Sequence, residues 1–435
     1  DFLHDGNHRL QQTTYPTSPQ TTTLIRAYTN AGLPKALTVK SGTSTNDQLT
    51  DYVYGYTNED DEDTHQLQHL EVKNAPSTIT YQAEFDYNDR GQLTSETRSG
   101  GGGNGSSFTY DDAGNLATAT KGSTTTHYGY DQANQLCWTG TSDGTSPVAS
   151  CPSTAPGSSQ VVARDKAGNS AGSASAPVSY NARNQASSLD GVTQGYHDQG
   201  NDLRVTTGAT HLVNTSTGIT ARTSDTNGTG APTGPNAQTT FYTRMPDGRI
   251  LNARTPGAPA ATIYYVTDHH KTVLGLINNA GQRAGTYRYD PYGKATLLEG
   301  TTAEQDNPFR FIGGYQHADD QPGGYYKLGA RYYNPDTAAF TQTDPEPGTM
   351  AEPLRTNPYL YSGGDPTNNT DPNGRSWTDV VDEVVKWGRG AGIVGGVCYT
   401  WYAVNDDDSS WSDEFADLNT CFNPYEWVTG ALDQG

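Results

Sequence analysis

The chain has 435 residues, of which only 32% are hydrophobic, whereas 49 are glycine, 24 are proline and 28 are tyrosine. So many helix-breaking residues exclude a mainly helical protein, and tyrosine favours strands that pack one face and reach water with the hydroxyl. A formal charge of −21 repels phosphates and disfavours binding to DNA or RNA. We therefore predict an all-β protein with many turns and only local helix.

Three copies of one short motif occur in the first third of the chain. They are FDYNDRGQL at 85–93, FTYDDAGNL at 108–116 and YGYDQANQL at 128–136. The motif tyrosines are Tyr87, Tyr110 and Tyr130. Weaker copies stand at 178–186 and 195–203, with a worn copy at 2–10. A motif that recurs at a nearly constant period predicts a repeat architecture.

Each copy has the pattern of a β-hairpin. Tyrosine ends one strand, the Asp or Asn side chain bonds the turn backbone, and Gly91 or Gly114 accepts a positive φ. Leucine then begins the return strand and points to the same interior as the tyrosine. Since one hairpin cannot bury its own apolar face, we expect the repeats to stack into a continuous, spiralling sheet. Stretches rich in Gly, Ser and Thr at 99–107, 141–160 and 215–240 are predicted to be long loops or flexible insertions.

The densest pattern of tyrosine, glycine and Asp-Pro steps lies between residues 286 and 374. It contains TYRYDPYG (286–293), NPFRFIGGY (307–315), YYKLGARYYNP (325–335), TQTDP (341–345) and NPYLYSGGDPTNNTDPNG (357–374). After Gly374 the composition changes abruptly. We therefore divide the chain into a degenerate repeat strip at 1–245, a core domain at 246–374 and a variable tail at 375–435.

The start of the tail has apolar residues at helical spacing. They are Trp377, Val380, Val381, Val384 and Trp387. We expect a helix over 377–390, which the following glycine-rich segment ends or kinks. No apolar run in the chain reaches the ~18 residues that a membrane-spanning helix needs, and we read Asp1 as a processed or trimmed end.

These motifs together resemble the Rhs (rearrangement hotspot) or YD-repeat family. The three repeats are similar to the family's repeat, and YYVTDHHKTVLGLINNAGQ (264–282), YDPYG (289–293), FRFIGGY (309–315) and LGARYYNP (328–335) follow the order of its repeat-associated core domain. The resemblance implies a β strip that spirals into a hollow shell, as in bacterial toxin-complex cocoons and teneurins. It also implies that the shell encloses a variable C-terminal polypeptide, often a toxin, and that the core domain plugs the shell and cuts the chain after Asp-Pro-x-Gly.

Asp344 in TQTDP and Asp371 in DPNG match the self-cleaving aspartates of that family. Two carboxyl groups held close together cannot both ionise, so one keeps a proton and the other can activate a water. The substrate is the chain itself, so a weak catalyst suffices for one turnover. Cleavage is expected shortly after Gly374, although Arg375 stands where the family has leucine. The alternative is that both aspartates are only turn residues before proline.

Four cysteines form two couples that are close in the sequence. Cys137 and Cys151 are 14 residues apart, and Cys398 and Cys421 are 23 residues apart. This spacing fits two short-loop disulfides in an oxidising compartment, whereas the lack of a C-x-x-C motif argues against zinc or redox chemistry. Four free buried thiols are the alternative.

Other candidate sites are weaker. Arg310 and Arg331 are expected to form ion pairs with carboxylates inside the core domain. The run Asp268–His270 has no third ligand at useful spacing, so we predict no metal and no cofactor.

Two functional hypotheses follow. The first is a secreted or cell-surface shell protein whose partner is its own C-terminal tail, with a single-turnover aspartyl self-cleavage. The second is a non-catalytic cell-surface β scaffold that binds glycans or protein partners through exposed tyrosine and tryptophan. A stand-alone hydrolase has no motif in its favour.

Overall fold

A computed structural model describes most of the chain up to the start of the tail. The described residues are 1–379 apart from 43–47, 58–63, 75–77, 102–104, 145, 174–175, 198–202, 226–236, 258–261, 301–306, 317–323, 347 and 350–351. Within them the regular structure is β-strand with short 3-10 turns, and the strands form two large antiparallel sheets and two small ones. The predicted all-β class is therefore confirmed.

The first sheet has 13 strands that pair in the order of the sequence. They are β1 (Phe2–His4), β2 (Leu10–Tyr15), β3 (Thr22–Tyr28), β4 (Pro34–Ser41), β5 (Gln48–Gly55), β6 (His69–Asn74), β7 (Thr78–Tyr87), β8 (Leu93–Gly100), β9 (Ser106–Tyr110), β10 (Leu116–Lys121), β11 (Thr124–Tyr130), β12 (Leu136–Gly140) and β13 (Gln160–Val161).

The second sheet also has 13 strands in sequence order. They are β14 (Gly172–Ser173), β15 (Ala176–Tyr180), β16 (Ala186–Leu189), β17 (Val192–Tyr196), β18 (Arg204–Thr207), β19 (Thr210–Thr215), β20 (Gly218–Asp225), β21 (Ala237–Arg244), β22 (Ile250–Arg254), β23 (Thr262–Thr267), β24 (Val273–Ile277), β25 (Arg283–Tyr289) and β26 (Ala295–Gly300). A single bridge between Arg164 and Ser170 links the two sheets into one strip.

The C-terminal part of the described chain folds into short strands and turns. A four-stranded sheet contains β27 (Tyr315–Gln316), β28 (Tyr326–Leu328), β29 (Arg331–Asn334) and β30 (Ala339–Phe340), and a pair contains β31 (Asn369–Thr370) and β32 (Thr378–Asp379). The 3-10 turns are Phe311–Gly313, Pro353–Thr356 and Ser362–Gly364. We call residues 307–379 the plug segment.

The predicted repeat hairpins form as expected. In the first copy Tyr87 pairs with Leu93, and the Asn88 side chain accepts hydrogen bonds from the backbone N–H groups of Arg90 and Gln92, both at 3.0 Å. Gly91 has a φ of 76°, a region that glycine enters without a Cβ clash. The side-chain bond and the permissive glycine together fix a tight turn, so the chain reverses at each copy of the motif.

The motif tyrosines differ from the expectation in one respect, because their hydroxyls do not point to water. Tyr110 donates to the carbonyl of Leu93 at 2.6 Å and Tyr130 to that of Leu116 at 3.1 Å. Each tyrosine therefore bonds the return strand of the preceding repeat. Burial raises the pKa of Tyr110 well above its usual value. A buried hydroxyl needs a partner, and the neighbouring backbone supplies one at every step.

The core lies between the two large sheets, which face each other through aromatic rings. Tyr15 stacks on Tyr264 with centroids 4.8 Å apart, and Phe108 meets Tyr292 edge-on at 5.2 Å. The plug segment adds a cluster of buried rings to this core. That cluster contains Phe311, Tyr326, Tyr333, Phe340 and Tyr361.

Two local predictions are wrong. The stretch 215–240 is not one long loop, since β20 and the first half of β21 occupy much of it and pair through Thr223 and Thr239, whose hydroxyls are 2.9 Å apart. β-Branched threonine suits such a pleated surface. Similarly, β8 and β9 extend into 99–107.

The predicted helix does not begin at Trp377. Thr378 and Asp379 pair antiparallel with Thr370 and Asn369. The Arg355 guanidinium lies 4.8 Å from the Trp377 ring centroid and donates to the Trp377 carbonyl at 3.0 Å. The rest of the predicted helix lies outside the described residues. The hairpin between β21 and β22 crosses the predicted boundary at 245/246, so the sheet itself continues there.

Candidate functional site

Asp344 and Asp371 lie at the same guanidinium group, although 27 residues separate them in the sequence. Nη2 of Arg331 is 2.8 Å from Oδ2 of Asp344 and 3.0 Å from Oδ2 of Asp371. The ring of Phe340 lies under the guanidinium, with its centroid 3.6 Å from Cζ. The fold thus brings the two predicted residues together and adds an arginine between them.

A tight turn positions the arginine. Gly329 and Ala330 connect β28 to β29, and Arg331 is the first residue of β29. The N–H of Ala330 donates to the carbonyl of Asn373 at 2.8 Å, and Gly374 has a φ of 63° where a Cβ would overlap the Leu328 carbonyl. Glycine is needed at this position because the turn and the DPNG segment are in direct backbone contact.

The carbonyl of Pro358 holds the other side of the site. It accepts hydrogen bonds from the backbone N–H of Asp344 and from Nη1 of Arg331, both at 3.0 Å. The N–H of Glu346 donates to Oδ1 of Asp344 at 2.8 Å, which orients that carboxylate. One backbone oxygen therefore links the arginine to the chain segment that carries the first aspartate.

The peptide bond between Gly374 and Arg375 lies within this network. Nε of Arg331 donates to the Gly374 carbonyl at 2.6 Å, and the N–H of Arg375 is shared between Oδ1 of Asp371 at 3.0 Å and Oδ1 of Asn373 at 2.9 Å. The carbonyl oxygen thus faces a cation, and the amide nitrogen faces a carboxylate. The Arg375 side chain turns outwards to Glu346, with Nη1 3.3 Å from Oε1.

Burial and charge act in opposite directions here. The side chains of Arg331 and Asp371 are 2% and 1% exposed, and that of Asp344 is 16% exposed. Burial raises the pKa of both carboxyl groups, while the Arg331 guanidinium opposes that rise, and Asp371 adds to it at Asp344. Burial lowers the pKa of Arg331, against the attraction of the two aspartates. Asp344 is the member of the pair that water can reach.

Sequence reasoning anticipated Arg331 only as an ion-pair partner. In the structure Arg331 also donates to the Gly374 carbonyl, a contact that the sequence did not predict. The available signal was the Gly-Ala-Arg sequence of 329–331, which predicts a tight turn directly before an arginine. Arg310, the other candidate, lies over the ring of Tyr287 at 4.4 Å.

The remaining predicted residues lie elsewhere. Cys137 and Cys151 form a disulfide at the end of the first sheet, and Cys398 and Cys421 lie outside the described residues. In the described part of the chain, the one group that could offer three metal ligands is Asp131 with Cys137 and Cys151, and its sulfurs are already bonded to each other.

Two further sequence features have a structural explanation. His269 and His270 pack side by side, and burial lowers the pKa of each, so both stay neutral near pH 7.

No tyrosine or tryptophan is fully exposed among the residues that the structure covers. The scaffold hypothesis, which relied on such exposed rings, therefore finds no surface of this kind here. None of the helices in the described regions is long and apolar enough to cross a membrane.

Strand order and site together define an all-β protein in which one sequential hairpin strip ends in a plug that carries an Arg–Asp–Asp cluster. A solved structure of TcdB2-TccC3 resembles the chain with a TM-score of 0.51 and 15% identity, over 86% of this chain and 21% of that one. The TcdB2-TccC3-TEV structure gives a TM-score of 0.50 at the same identity, over 86% and 20%. At this identity the likeness concerns the fold.

Curated relatives match shorter stretches. The tRNA3(Ser)-specific nuclease WapA of Bacillus spizizenii is 33% identical over 146 residues, which is 34% of this chain and 6% of that protein. The tRNA nuclease WapA of Bacillus subtilis strain 168 is 34% identical over 118 residues, or 27% and 5%. Salivary gland surface protein 1 of Aedes aegypti is 27% identical over 167 residues, or 38% and 4%. The chain thus corresponds to a small part of each relative. No protein-family model matches it.

Proposed function

We propose that the chain is a YD-repeat shell protein of the Rhs type, which carries a variable C-terminal polypeptide and cuts itself once between Gly374 and Arg375. The observation that carries this proposal is the position of that peptide bond. Its carbonyl accepts from Arg331, and its N–H donates to Asp371, while Asp344 lies at the same guanidinium. Charged partners on both sides of a peptide bond also occur in turns of the sheets, since the Gly168 carbonyl accepts from Arg164 and the Asn169 N–H donates to Asp165. What distinguishes the 374–375 bond is a second carboxylate, that of Asp344, at the same guanidinium.

The proposed reaction is a hydrolysis. Asp344, the more exposed carboxylate, takes a proton from a water whose oxygen attacks the carbonyl carbon of Gly374. The negative charge that develops on the carbonyl oxygen is stabilised by Arg331. Asp371 then gives a proton to the nitrogen of Arg375 as the carbon–nitrogen bond breaks. One water is consumed, and a carboxyl group at Gly374 and an amino group at Arg375 are formed.

The raised pKa of both aspartates supports this division of roles. A buried carboxyl group with a raised pKa keeps its proton at a pH where an exposed one is ionised, so one member of the pair can act as the acid. Since both share one arginine, the proton belongs to the pair, and their titration is coupled. Proximity is built into the fold, and a single turnover requires no release of product.

The domain plan of the proposal follows the sequence. Residues 1–245 form the repeat strip, 246–374 the core domain and 375–435 the tail. A cavity between the two sheets has a volume of about 290 Å³. A tail of 61 residues does not fit in that space. We therefore propose that residues 1–374 present the tail. Enclosure of the tail then needs a larger shell, for which the TcdB2-TccC3 structure offers an example of the fold.

We further propose that the protein works outside the cytoplasm. The disulfide between Cys137 and Cys151 supports an oxidising compartment, and the strongly negative charge supports solubility there. A toxic role for the tail is proposed from the likeness to WapA and TcdB2-TccC3, and no activity of its own is assigned to it.

Intact mass spectrometry of the purified full chain tests the cleavage. The wild-type protein should yield two species, 1–374 and 375–435, on denaturation, whereas Asp344→Asn and Asp371→Asn should each stay whole. Asp290→Asn is the matched control, because Asp290 also precedes a proline and caps the turn between β25 and β26. A wild-type chain that stays whole after long incubation, or a cut at another bond, would refute the proposal.

A further inference from the structure

The plug segment touches the repeat strip chiefly at the turns of the YD hairpins. Asn357 donates to Oδ1 of Asn115 at 2.6 Å, and Asn115 in turn donates to Asp111 at 2.9 Å and to Asn134 at 3.0 Å. Asn357 thereby joins a ladder of side-chain amides that links two successive repeat turns. Asn357 and Asn115 are both buried, so water does not replace these bonds easily.

Asn357 is also one residue from the site. The next residue, Pro358, supplies the carbonyl that accepts from the Asp344 N–H and from Arg331. Oδ1 of Asn357 accepts from the N–H of Tyr359 at 3.1 Å, which fixes the bend around that proline. A shift of Asn357 therefore moves the Pro358 carbonyl, which bonds both Asp344 and Arg331.

Gln342 makes a second connection of the same kind. Its Nε2 donates to the carbonyl of Asn184, in the turn of the copy at 178–186, at 2.8 Å. Its Oε1 accepts from the N–H of Tyr332 at 3.0 Å, the residue after Arg331. Gln342 is buried and stands two residues before Asp344. The Gln342 side chain thus connects a repeat turn to β29, which begins at Arg331, and Gln342 itself lies in the segment that carries Asp344.

A third contact lies between these two. The hydroxyl of Tyr359 donates to the carbonyl of Gly168 at 2.8 Å, in the turn that joins the two large sheets. The Arg164 guanidinium lies over the Tyr359 ring, 4.8 Å from its centroid. Three turns of the strip therefore hold Gln342, Asn357 and Tyr359, which lie on either side of Asp344 in the sequence.

We propose that Asn357 and Gln342 are positioning residues, which couple the aspartate pair to the folded repeat strip so that the chain is cut only after the strip's turns have formed. This inference rests on the proposed self-cleavage. The partners lie 242 and 158 residues apart in the sequence, so the contacts require the long-range fold. A loose strip leaves Asp344 displaced from Arg331, and a displacement of ~1 Å at a reacting group can cost roughly 100-fold in rate.

The test compares single-turnover tail release in the full chain after refolding from urea. Asn357→Ala and Asn115→Ala should each slow release roughly 10- to 100-fold, and the double variant should be no slower than the slower single one. Asn278→Ala is the matched control. Its side chain accepts hydrogen bonds from the N–H groups of Ala280 and Gln282, in a turn of the second sheet. The control should cleave at the wild-type rate even if it is less stable.

The pH profile separates positioning from general loss of structure. When Asp344 moves away from Arg331, its pKa rises further, so the rate of Asn357→Ala should reach its plateau at higher pH than that of the wild type. Equal rates and profiles for Asn357→Ala and wild type would overturn the inference and leave the proposed cleavage intact.

If the wild-type chain does not cleave, the proposed function fails, and hydrogen exchange still decides the coupling. The Asp344 N–H should then exchange faster in Asn357→Ala and unchanged in Asn278→Ala, because Pro358 loses its support only in the former. Unchanged protection in both variants would refute the positioning role.

Discussion

Replacing Arg331 by methionine should destabilise the protein in a pH-dependent manner. The substitution keeps much of the side-chain volume but leaves Asp344 and Asp371 buried without the cation that lies 2.8 and 3.0 Å from them. Removing one partner of a buried ion pair typically costs about 3–5 kcal/mol. We expect a loss of that size at pH 7.5.

The sign of the pH effect follows from the pKa shifts. Both aspartates already have a folded pKa above the usual 3.8, and Arg331 opposes the rise. Without Arg331 each folded pKa rises further, so the stability that these groups contribute is lost as the pH rises from about 4 toward the folded pKa. Each additional unit corresponds to about 1.4 kcal/mol. The deficit of the variant should therefore be markedly smaller at pH 5 than at pH 7.5.

Urea unfolding followed by tryptophan fluorescence at the two pH values measures this difference, with intact mass recording the state of the 374–375 bond in each sample. Arg204→Met is the matched control, because Arg204 is equally buried but, among the described residues, pairs with Gln194, Tyr332 and the ring of Tyr315 rather than a carboxylate. Its loss should be the same at both pH values. An Arg331→Met deficit under 1 kcal/mol, or one equal at pH 5 and 7.5, would contradict the electrostatic reasoning.

Three further outcomes are expected. Burial raises the pKa of Asp268 from 3.8 to about 7, so the protein loses stability as the pH rises between those values. In Asp268→Asn this pH-dependent loss of stability should be smaller by roughly 2–4 kcal/mol, as measured by urea unfolding at pH 5 and 7.5. Gly329→Ala should lower stability by about 2–4 kcal/mol, since φ is 42° and a Cβ would overlap the Asn373 carbonyl. The control Gly191→Ala should cost about 1 kcal/mol, because Gly191 also has a positive φ but has open space where the Cβ would lie. Reducing the disulfide between Cys137 and Cys151 should cost about 3 kcal/mol, from the entropy of a short loop, in thermal unfolding with and without reductant.

The repeat strip could be predicted from the sequence because each hairpin is specified locally. Within nine residues, 108–116 contain the strand-ending Tyr110, the turn-capping Asp111 and the permissive Gly114, and all three act as predicted. Local chemistry of this kind does not depend on the rest of the fold. The loop predicted at 215–240 failed for the converse reason, since a threonine-rich composition suits both loops and strands, and only the neighbouring strand decides.

The candidate site could be predicted only in part. Asp344 and Asp371 were identified by resemblance, yet nothing in their spacing indicates that one guanidinium holds both. Arg331 reaches them because the turn at 329–330 packs on the DPNG segment, and Pro358 joins the two halves. These contacts are set by packing over tens of residues, which a motif does not encode.

The residue at 375 shows why a departure from a family pattern need not remove the chemistry. The site uses the backbone of Arg375, through the N–H that Asp371 and Asn373 share. The side chain lies outside the cluster, 32% exposed, against Glu346. An exposed pair of this kind contributes on the order of 0–1 kcal/mol. Because the contacts of the peptide bond with Arg331 and Asp371 do not depend on which side chain follows Gly374, the arginine changes the sequence signature but leaves in place the geometry on which the proposed cleavage rests.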